Sequence, residues 1–278
     1  MYAAYFNLRE MPFSILPDPR FLYFSRAHSM ALSMLEYGIM NQAGFTVVTG
    51  AIGSGKTTLI RHLLSSVSQH LRVGLIAHTP RSEDNLFEWI LLAFDQRIEN
   101  TSYAAMYKQF CEFVQGVAAT GGRVVLVVDE AQNLAPARLE ELRMLSNVNS
   151  DSMMMQLILV GQPELSETLS RPELRQFAQR VSSDFHLPRL LPSEVNDYIN
   201  HRLAVAGGSP SLITPKARKI IAAASEGIPR QINVLADRCL AYAFGRGVSA
   251  VSSRIVREVI ADRTRHGVFR GEAELALT

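Results

Sequence analysis

The sequence predicts an α/β fold, a mainly parallel β-sheet flanked by helices, followed by a smaller all-helical domain. Three features predict it. Short β-branched apolar runs alternate with helix-period stretches across residues 45–160, the pattern of βαβ units whose sheet is buried on both faces. A strand, a glycine-rich turn and a helix follow one another directly between residues 45 and 67. Beyond Phe185 the strand patterns stop and four helical stretches take over.

In chain order, the first 25 residues set Pro12, Pro17 and Pro19 among Phe6, Phe13, Phe21, Tyr23 and Phe24. That mixture predicts an ordered, non-helical arm lying on a domain. Met30, Ala31, Met34, Leu35 and Ile39 recur at helical spacing over residues 28–40. Strands are expected at 45–49, 73–77, 124–128 and 156–160, with helices at 56–67, 83–96, 103–118 and 136–147. Helices at 193–206, 215–225, 229–244 and 252–264 complete the chain, with Gly227 and Pro229 dividing the second from the third. The expected organisation is an arm at 1–27, an α/β domain at 28–189, a smaller helical domain at 190–266 that would form a lid, and a flexible tail at 267–278.

With 278 residues, 47% apolar and 19% charged, the chain has the composition of a globular protein rather than a disordered or fibrous one. A net charge of +2 neither demands nor excludes a nucleic-acid surface. Cys111 and Cys239 lack metal-ligand spacing, which argues against a zinc site and a disulfide framework. No segment holds the roughly 18–20 uninterrupted apolar residues of a membrane-spanning helix. The opening residues lack the layout of a signal peptide, so no membrane insertion and a cytoplasmic location are expected.

The chemistry concentrates in two motifs. Gly50-Ala51-Ile52-Gly53-Ser54-Gly55-Lys56-Thr57 matches G-x-x-x-x-G-K-[ST], set between a β-branched strand and a helix as the motif requires. Its glycines let backbone N–H groups turn toward phosphates, Lys56 neutralises β/γ-phosphate charge, and the Thr57 hydroxyl is placed to hold Mg²⁺. Thr58 joins the same phosphate-binding helix start. The competing reading, a glycine-rich turn with a chance lysine, must explain every specified position and both flanks.

Residues 124–128 form an apolar run ending in Asp129 and Glu130, which sets two carboxylates at the carboxyl edge of the sheet, where ligands of α/β folds collect. This is a Walker B pattern: Asp129 for Mg²⁺, Glu130 to orient and deprotonate the attacking water. Alone, the pair could also simply cap a strand in solvent. The run at 156–160 ends in Gly161-Gln162-Pro163, so Gln162 reads either as a turn residue or as a polar group that positions water. Arg171, Arg175, Arg180 and Arg189 form a basic series that is either solvated surface or a source of a guanidinium for a neighbouring site. Gly227-Ile228-Pro229-Arg230 opens a lid helix from which Arg230 would cover the phosphates.

These residues resemble the AAA+ class and, within it, the ExeA or general secretion pathway A family. The resemblance rests on the arm from Phe6 to Tyr23, the glycine-rich loop, Asp129-Glu130-Ala131-Gln132-Asn133-Leu134, Gly161-Gln162-Pro163-Glu164-Leu165, Leu174-Arg175-Gln176 with Gln179-Arg180, and Gly227-Ile228-Pro229-Arg230 through Asn233. It spans residues 5 to about 265. It implies an AAA+ ATPase core with a helical lid, adenine held between arm and lid, Gln162 as sensor 1 and Arg230 as sensor 2. It also implies Arg175 and Arg180 as arginine fingers that act in trans in a homo-oligomeric ring or helix.

Two functions follow from the resemblance. One is an ATPase motor or switch that uses ATP and Mg²⁺ to serve a protein partner in secretion, pilus or polysaccharide export. Secretion ATPases of this family usually continue into a membrane helix and a peptidoglycan-binding region, which these 278 residues do not include. The other is a transposition regulator of the TnsC/TniB kind, which assembles on double-stranded DNA and recruits a transposase. Arg254, Arg257, Arg263, Arg265 and Arg270 favour it, although Glu258 and Asp262 interrupt the cluster. A scaffold with little turnover, gated by ATP, is the third reading.

Overall fold

Apolar β-branched residues make the strands and helix-period runs make the helices. The computed structural model describes residues 1–41, 43–66, 70–77, 85–98, 102–149 and 154–266. The elements in order are α1 (Tyr2–Tyr5), α2 (Arg26–Met40), β1 (Phe45–Gly50), α3 (Lys56–Ser66), β2 (Leu71–Ile76), α4 (Leu86–Ala93), α5 (Tyr103–Ala119), β3 (Arg123–Val128), α6 (Pro136–Leu145) and β4 (Met155–Gly161). They continue with α7 (Pro163–Leu169), α8 (Arg175–Ala178), β5 (Val181–Leu187), α9 (Pro192–Val205), α10 (Pro215–Ala224), α11 (Pro229–Gly245) and α12 (Ser253–His266). The tail expected at 267–278 and Arg270 lie outside the described residues, as do Val67 and residues 83–84 at the ends of two expected helices.

Backbone contacts group the chain into two compact units. One contains Ala27–Gly50 and Leu59–Leu187; the other contains Met1–Arg26, Ala51–Thr58 and the chain from Pro188 onward. Each has its own apolar core.

In the first unit, five parallel strands pair in the order β2-β3-β4-β1-β5. β3 is the inner strand with the cleanest apolar run: Val124, Val125, Leu126, Val127 and Val128 are all buried, as befits a sheet covered on both faces. Parallel register sets Thr49 opposite Gly161 and Val128 opposite Leu159. The carboxyl ends of β1, β3 and β4 therefore share one edge. At the opposite end, the Gln156 amide donates to the carbonyls of Gly38 and Ala43 at 2.9 and 3.0 Å, tying the end of α2 to β4.

β5 is a strand that the sequence does not announce. Val-Ser-Ser-Asp-Phe-His-Leu contains too many polar residues to read as a buried run, yet it pairs with β1 along its whole length. It is an edge strand, and of its residues only Ser183 and Leu187 are buried, so packing asks little of its composition.

In the second unit, α9 to α12 pack around Val195, Ile199, Leu203, Ile221, Leu235 and Val256, and the arm contributes Tyr2, Leu8, Phe13 and Phe21 to the same core. The arm is not wholly non-helical as the sequence suggests. It contains the single turn α1 and a 3-10 turn at Pro19–Phe21, whose backbone Asp18 caps through its carboxylate at 2.9 Å. Turns of three or four residues are too short to leave a helical period.

Arg202 on α9 holds the arm. Its guanidinium is buried, donates to the carbonyls of Pro12 at 2.5 Å and Ser14 at 2.8 Å, and stacks 4.4 Å from the Phe21 ring centroid. Burial pushes its pKa down, and the Tyr198 hydroxyl and then the nearby carboxylates of Asp18 and Glu10 oppose that shift. Hydrogen bonds from a charged donor stabilise by about 1.5–3 kcal/mol each. Arg202→Ala is therefore expected to lower unfolding free energy by about 2–4 kcal/mol and to accelerate amide exchange in the arm. Urea denaturation and hydrogen exchange check this; an arm that exchanges as slowly as before would refute the clamp.

Candidate functional site

The glycine-rich segment begins as β1 ends. Gly53 and Gly55 adopt left-handed backbone conformations, with φ of +78° and +102°, which open the turn before α3 starts at Lys56. Lys56 is buried and its Nζ donates to the Ala51 carbonyl at 3.1 Å, so the ammonium is folded over the loop. Ser54, also buried, closes the turn with its N–H on the Ala51 carbonyl at 3.1 Å. Thr57 and Thr58 occupy the first turn of α3, where backbone N–H groups have no partner within the helix.

The same unit brings α11 to this loop. The N–H of Arg230 donates to the Gly53 carbonyl at 3.2 Å. A Cβ at position 53 would lie 2.4 Å from the Arg230 Cβ, so glycine is required there by proximity as well as by φ. Pro229 at the first turn of α11 needs no hydrogen-bond acceptor for its nitrogen. Sequence-predicted Gly53, Lys56 and Arg230 thus meet in one place.

In the sheet-bearing unit, Asp129 and Glu130 leave β3 at its carboxyl end. Asp129 is 5% exposed, its N–H bonds the Ile76 carbonyl at 2.9 Å, and its Oδ1 accepts the N–H of Glu130 at 2.9 Å. Glu130 takes a left-handed φ of +53°, which turns the chain sharply into a 3-10 turn at Ala131–Asn133. Its half-buried carboxylate accepts from Gln132 Nε2 at 2.6 Å and from Gln162 Nε2 at 3.5 Å, both on Oε2. Gln132 Oε1 in turn accepts the backbone N–H of Gln162 at 3.0 Å. Asp129, Glu130 and Gln162 therefore come together, and Gln132 joins them without having been singled out by the sequence. Its signal was a carboxamide two residues beyond the acidic pair, which pattern alone gives no reason to notice.

Arg175 and Arg180 separate. Arg175 starts α8 and is exposed. Arg180 is half-buried and donates to Ser146 Oγ, to the Arg143 carbonyl at 3.3 Å and to Asn147 Oδ1 at 3.2 Å. A further pair at the carboxyl edge, absent from the sequence reading, joins Thr49 Oγ1 and His186 Nδ1 at 3.0 Å, across β1 and β5.

Residues 39–169 match the AAA domain family. Over 249 residues the chain is 39% identical to general secretion pathway protein A of Aeromonas hydrophila, covering 89% of this chain and 46% of that one. The chain is thus similar to general secretion pathway protein A and carries an AAA domain. It spans just under half the length of that curated relative. Among solved structures, the ORC2 protein of Aeropyrum pernix in its ADPNP–ADP complexes superposes with a TM-score of 0.70 at 17% identity, over 91% of this chain and 71% of that one. The ORC1 protein of Aeropyrum pernix in complex with DNA gives 0.67 at 19% identity, over 92% and 70%. At such identities these two matches establish the AAA+ nucleotide-binding fold and no more.

The donors present suit Mg²⁺ with a nucleotide. In one unit the glycine-rich loop offers the Thr57 hydroxyl, and in the other the end of β3 offers the Asp129 carboxylate, each a hard oxygen of the kind Mg²⁺ takes. Among the described residues no cluster of three or more His, Cys, Asp or Glu forms a self-sufficient metal cage. No helix among them is long and apolar enough to cross a membrane.

Proposed function

We propose that the chain hydrolyses ATP with Mg²⁺ and uses the cycle to drive or gate its own assembly in an envelope-associated system such as secretion, pilus or polysaccharide export. The observation that carries the hydrolytic part is the group of Asp129, Glu130 and Gln162 at the carboxyl ends of β3 and β4, with the glycine-rich loop continuing from β1. The 39% identity to general secretion pathway protein A supports the envelope setting. The protein partner that reads the nucleotide state belongs to that setting.

In this reading the loop from Gly50 to Thr58 wraps the phosphates, and Lys56 neutralises their charge. Thr57 and Asp129 would hold Mg²⁺, which would supply further neutralisation when bound. Glu130 orients a water for in-line attack on the γ-phosphorus and takes its proton as the bond to ADP breaks. Gln162 holds the water or the γ-phosphate through its amide. Arg230, at the start of α11, adds a cation from the lid. Lys56→Ala is expected to abolish ATP binding. Glu130→Gln should retain binding while turnover falls about 10²–10⁴-fold. Equilibrium nucleotide binding alongside phosphate release checks both, and wild-type turnover by the Glu130→Gln variant would remove Glu130 from the base role.

Assembly would bring an arginine to the neighbouring subunit's nucleotide. Arg175 fits that task better than Arg180, because it is exposed while Arg180 is committed to Ser146, Asn147 and the Arg143 carbonyl. A finger supplied in trans is worth about 10³–10⁵ in rate. Arg175→Ala should therefore lower turnover by orders of magnitude, and adding Glu130→Gln chains should restore part of it, since each variant lacks what the other has. Failure of the mixture to exceed the sum of its parts would argue against action in trans.

A second reading, assembly on double-stranded DNA and recruitment of a transposase, is supported by exposed Arg254, Arg257 and Arg265 on α12. Other charges of that helix are engaged: Glu258 pairs with Arg246, Asp262 accepts from Tyr242 at 2.8 Å, and Arg263 donates to Gln231 at 2.9 Å. Particle size and ATPase rate with ATP or a non-hydrolysable analogue, with and without duplex DNA, separate the readings. DNA-driven assemblies that weaken as salt rises establish the second. ATP-dependent assembly indifferent to DNA leaves the first.

A further inference from the structure

Gln132 makes a two-ended bridge that neither the glycine-rich loop nor the acidic pair requires. One end donates to Glu130 Oε2 at 2.6 Å and the other accepts the Gln162 N–H at 3.0 Å. A carboxamide can do both, since it carries a donor and an acceptor on one planar group. The surrounding backbone is fitted to it. Position 161 is glycine, and a Cβ there would stand 3.0 Å from Gln132 Oε1 and 2.9 Å from Leu165 Cδ2.

The bridge makes the shorter of two amide contacts to the Glu130 carboxylate, 2.6 Å against 3.5 Å from Gln162 Nε2. Asp129 Oδ1 fixes the Glu130 N–H, and the φ of +53° turns the backbone sharply out of β3. The two glutamine amides both take Oε2 of that carboxylate. The acceptor end of the same bridge meets the residue that N-caps α7, which fixes where the Gln162 side chain begins.

We propose that Gln132 is a positioning residue for hydrolysis, setting Glu130 and Gln162 as one unit so that base and amide address the same water. The proposal rests on the ATPase reading above. It assigns Gln132 no contact with nucleotide: it acts through Glu130 and Gln162. A displaced base loses near-attack geometry while the phosphates remain bound.

The test compares the full chain carrying Gln132→Met or Gln132→Glu with the unsubstituted chain, using MgATP for steady-state turnover and a fluorescent ATP analogue for binding. Methionine keeps the length and loses both hydrogen bonds. Glutamate keeps the acceptor for the Gln162 N–H and sets a second carboxylate against Glu130. Both variants should lose about 100-fold in kcat, with nucleotide affinity changed less than twofold and thermal midpoints near that of the parent. If Gln132 served only to satisfy the Gln162 N–H, Gln132→Glu would keep parental kcat, and that result overturns the proposal. So does parental turnover by Gln132→Met, or a loss of binding equal to the loss of rate. Turnover absent from the unsubstituted chain would overturn the ATPase reading as well, which separates the two failures.

Discussion

The parallel pairing of β4 with β3 on one side and with β1 on the other is the constraint on which the site depends. β3 presents five consecutive apolar side chains, all buried, and such a run tolerates neither a flipped face nor water on either side. At about 1.5–3 kcal/mol for each fully buried aliphatic side chain, its register is fixed by packing far from any chemistry. The first residues able to leave the core are then Asp129 after β3 and Gln162 after β4. Their neighbourhood is a consequence of where the apolar runs stop. Substrate chemistry needs no additional force to gather them.

Local devices refine what the sheet delivers. A left-handed conformation at a non-glycine residue costs roughly 1–2 kcal/mol, and Glu130 adopts one with its N–H held by the preceding Asp129 carboxylate. Because Asp129 is nearly buried and anchored by its own N–H to Ile76, the strained turn is held from the β3 side by the sheet itself. In the other unit the corresponding device is Gly53, whose missing Cβ admits the start of α11. Both sites use a backbone conformation that most residues avoid; at Gly53 the missing Cβ removes the strain, and at Glu130 the buried Asp129 opposes it.

How much of this could be read from residue order depends on whether a feature leaves a period or a pattern. β1, β3 and β4 were legible because burial on two faces demands unbroken apolar runs, and the loop from Gly50 to Thr57 was legible because each residue type has its own phosphate-directed task. The strand expected at 73–77 starts two residues early, at Leu71–Ile76, since Arg72 exposes one face and blurs the start of the run. β5 was missed because an edge strand pairs through backbone groups, which composition does not encode. The partners of Arg180 were invisible for a related reason: Ser146 and Asn147 lie more than thirty residues earlier, and only the path of α6 brings them close. Gln132 had been quoted as part of a motif, but a single amide has no period, and its bridge exists only once β3 and β4 are in register.

The segment that follows Gln162 gives the bridge a wider setting. α7 carries buried Leu165 and Leu169, and the short stretch beyond it carries Leu174 and Phe177, the last edge-on to Phe45 at 4.9 Å. Four apolar anchors in thirteen residues leave this segment little freedom to move apart from the sheet. Gln162 stands at its beginning and exposed Arg175 in the middle of those anchors. The amide to which the proposed mechanism gives the water and the cation to which it gives a neighbouring subunit are therefore mounted on one closely packed strip. In an assembly, a neighbour pulling on Arg175 would load the same strip that Gln132 fastens to Glu130. The hydrogen bond at Gln132 is then the place where contact between subunits and orientation of the base would meet, and its two-ended geometry suits a joint better than a cap.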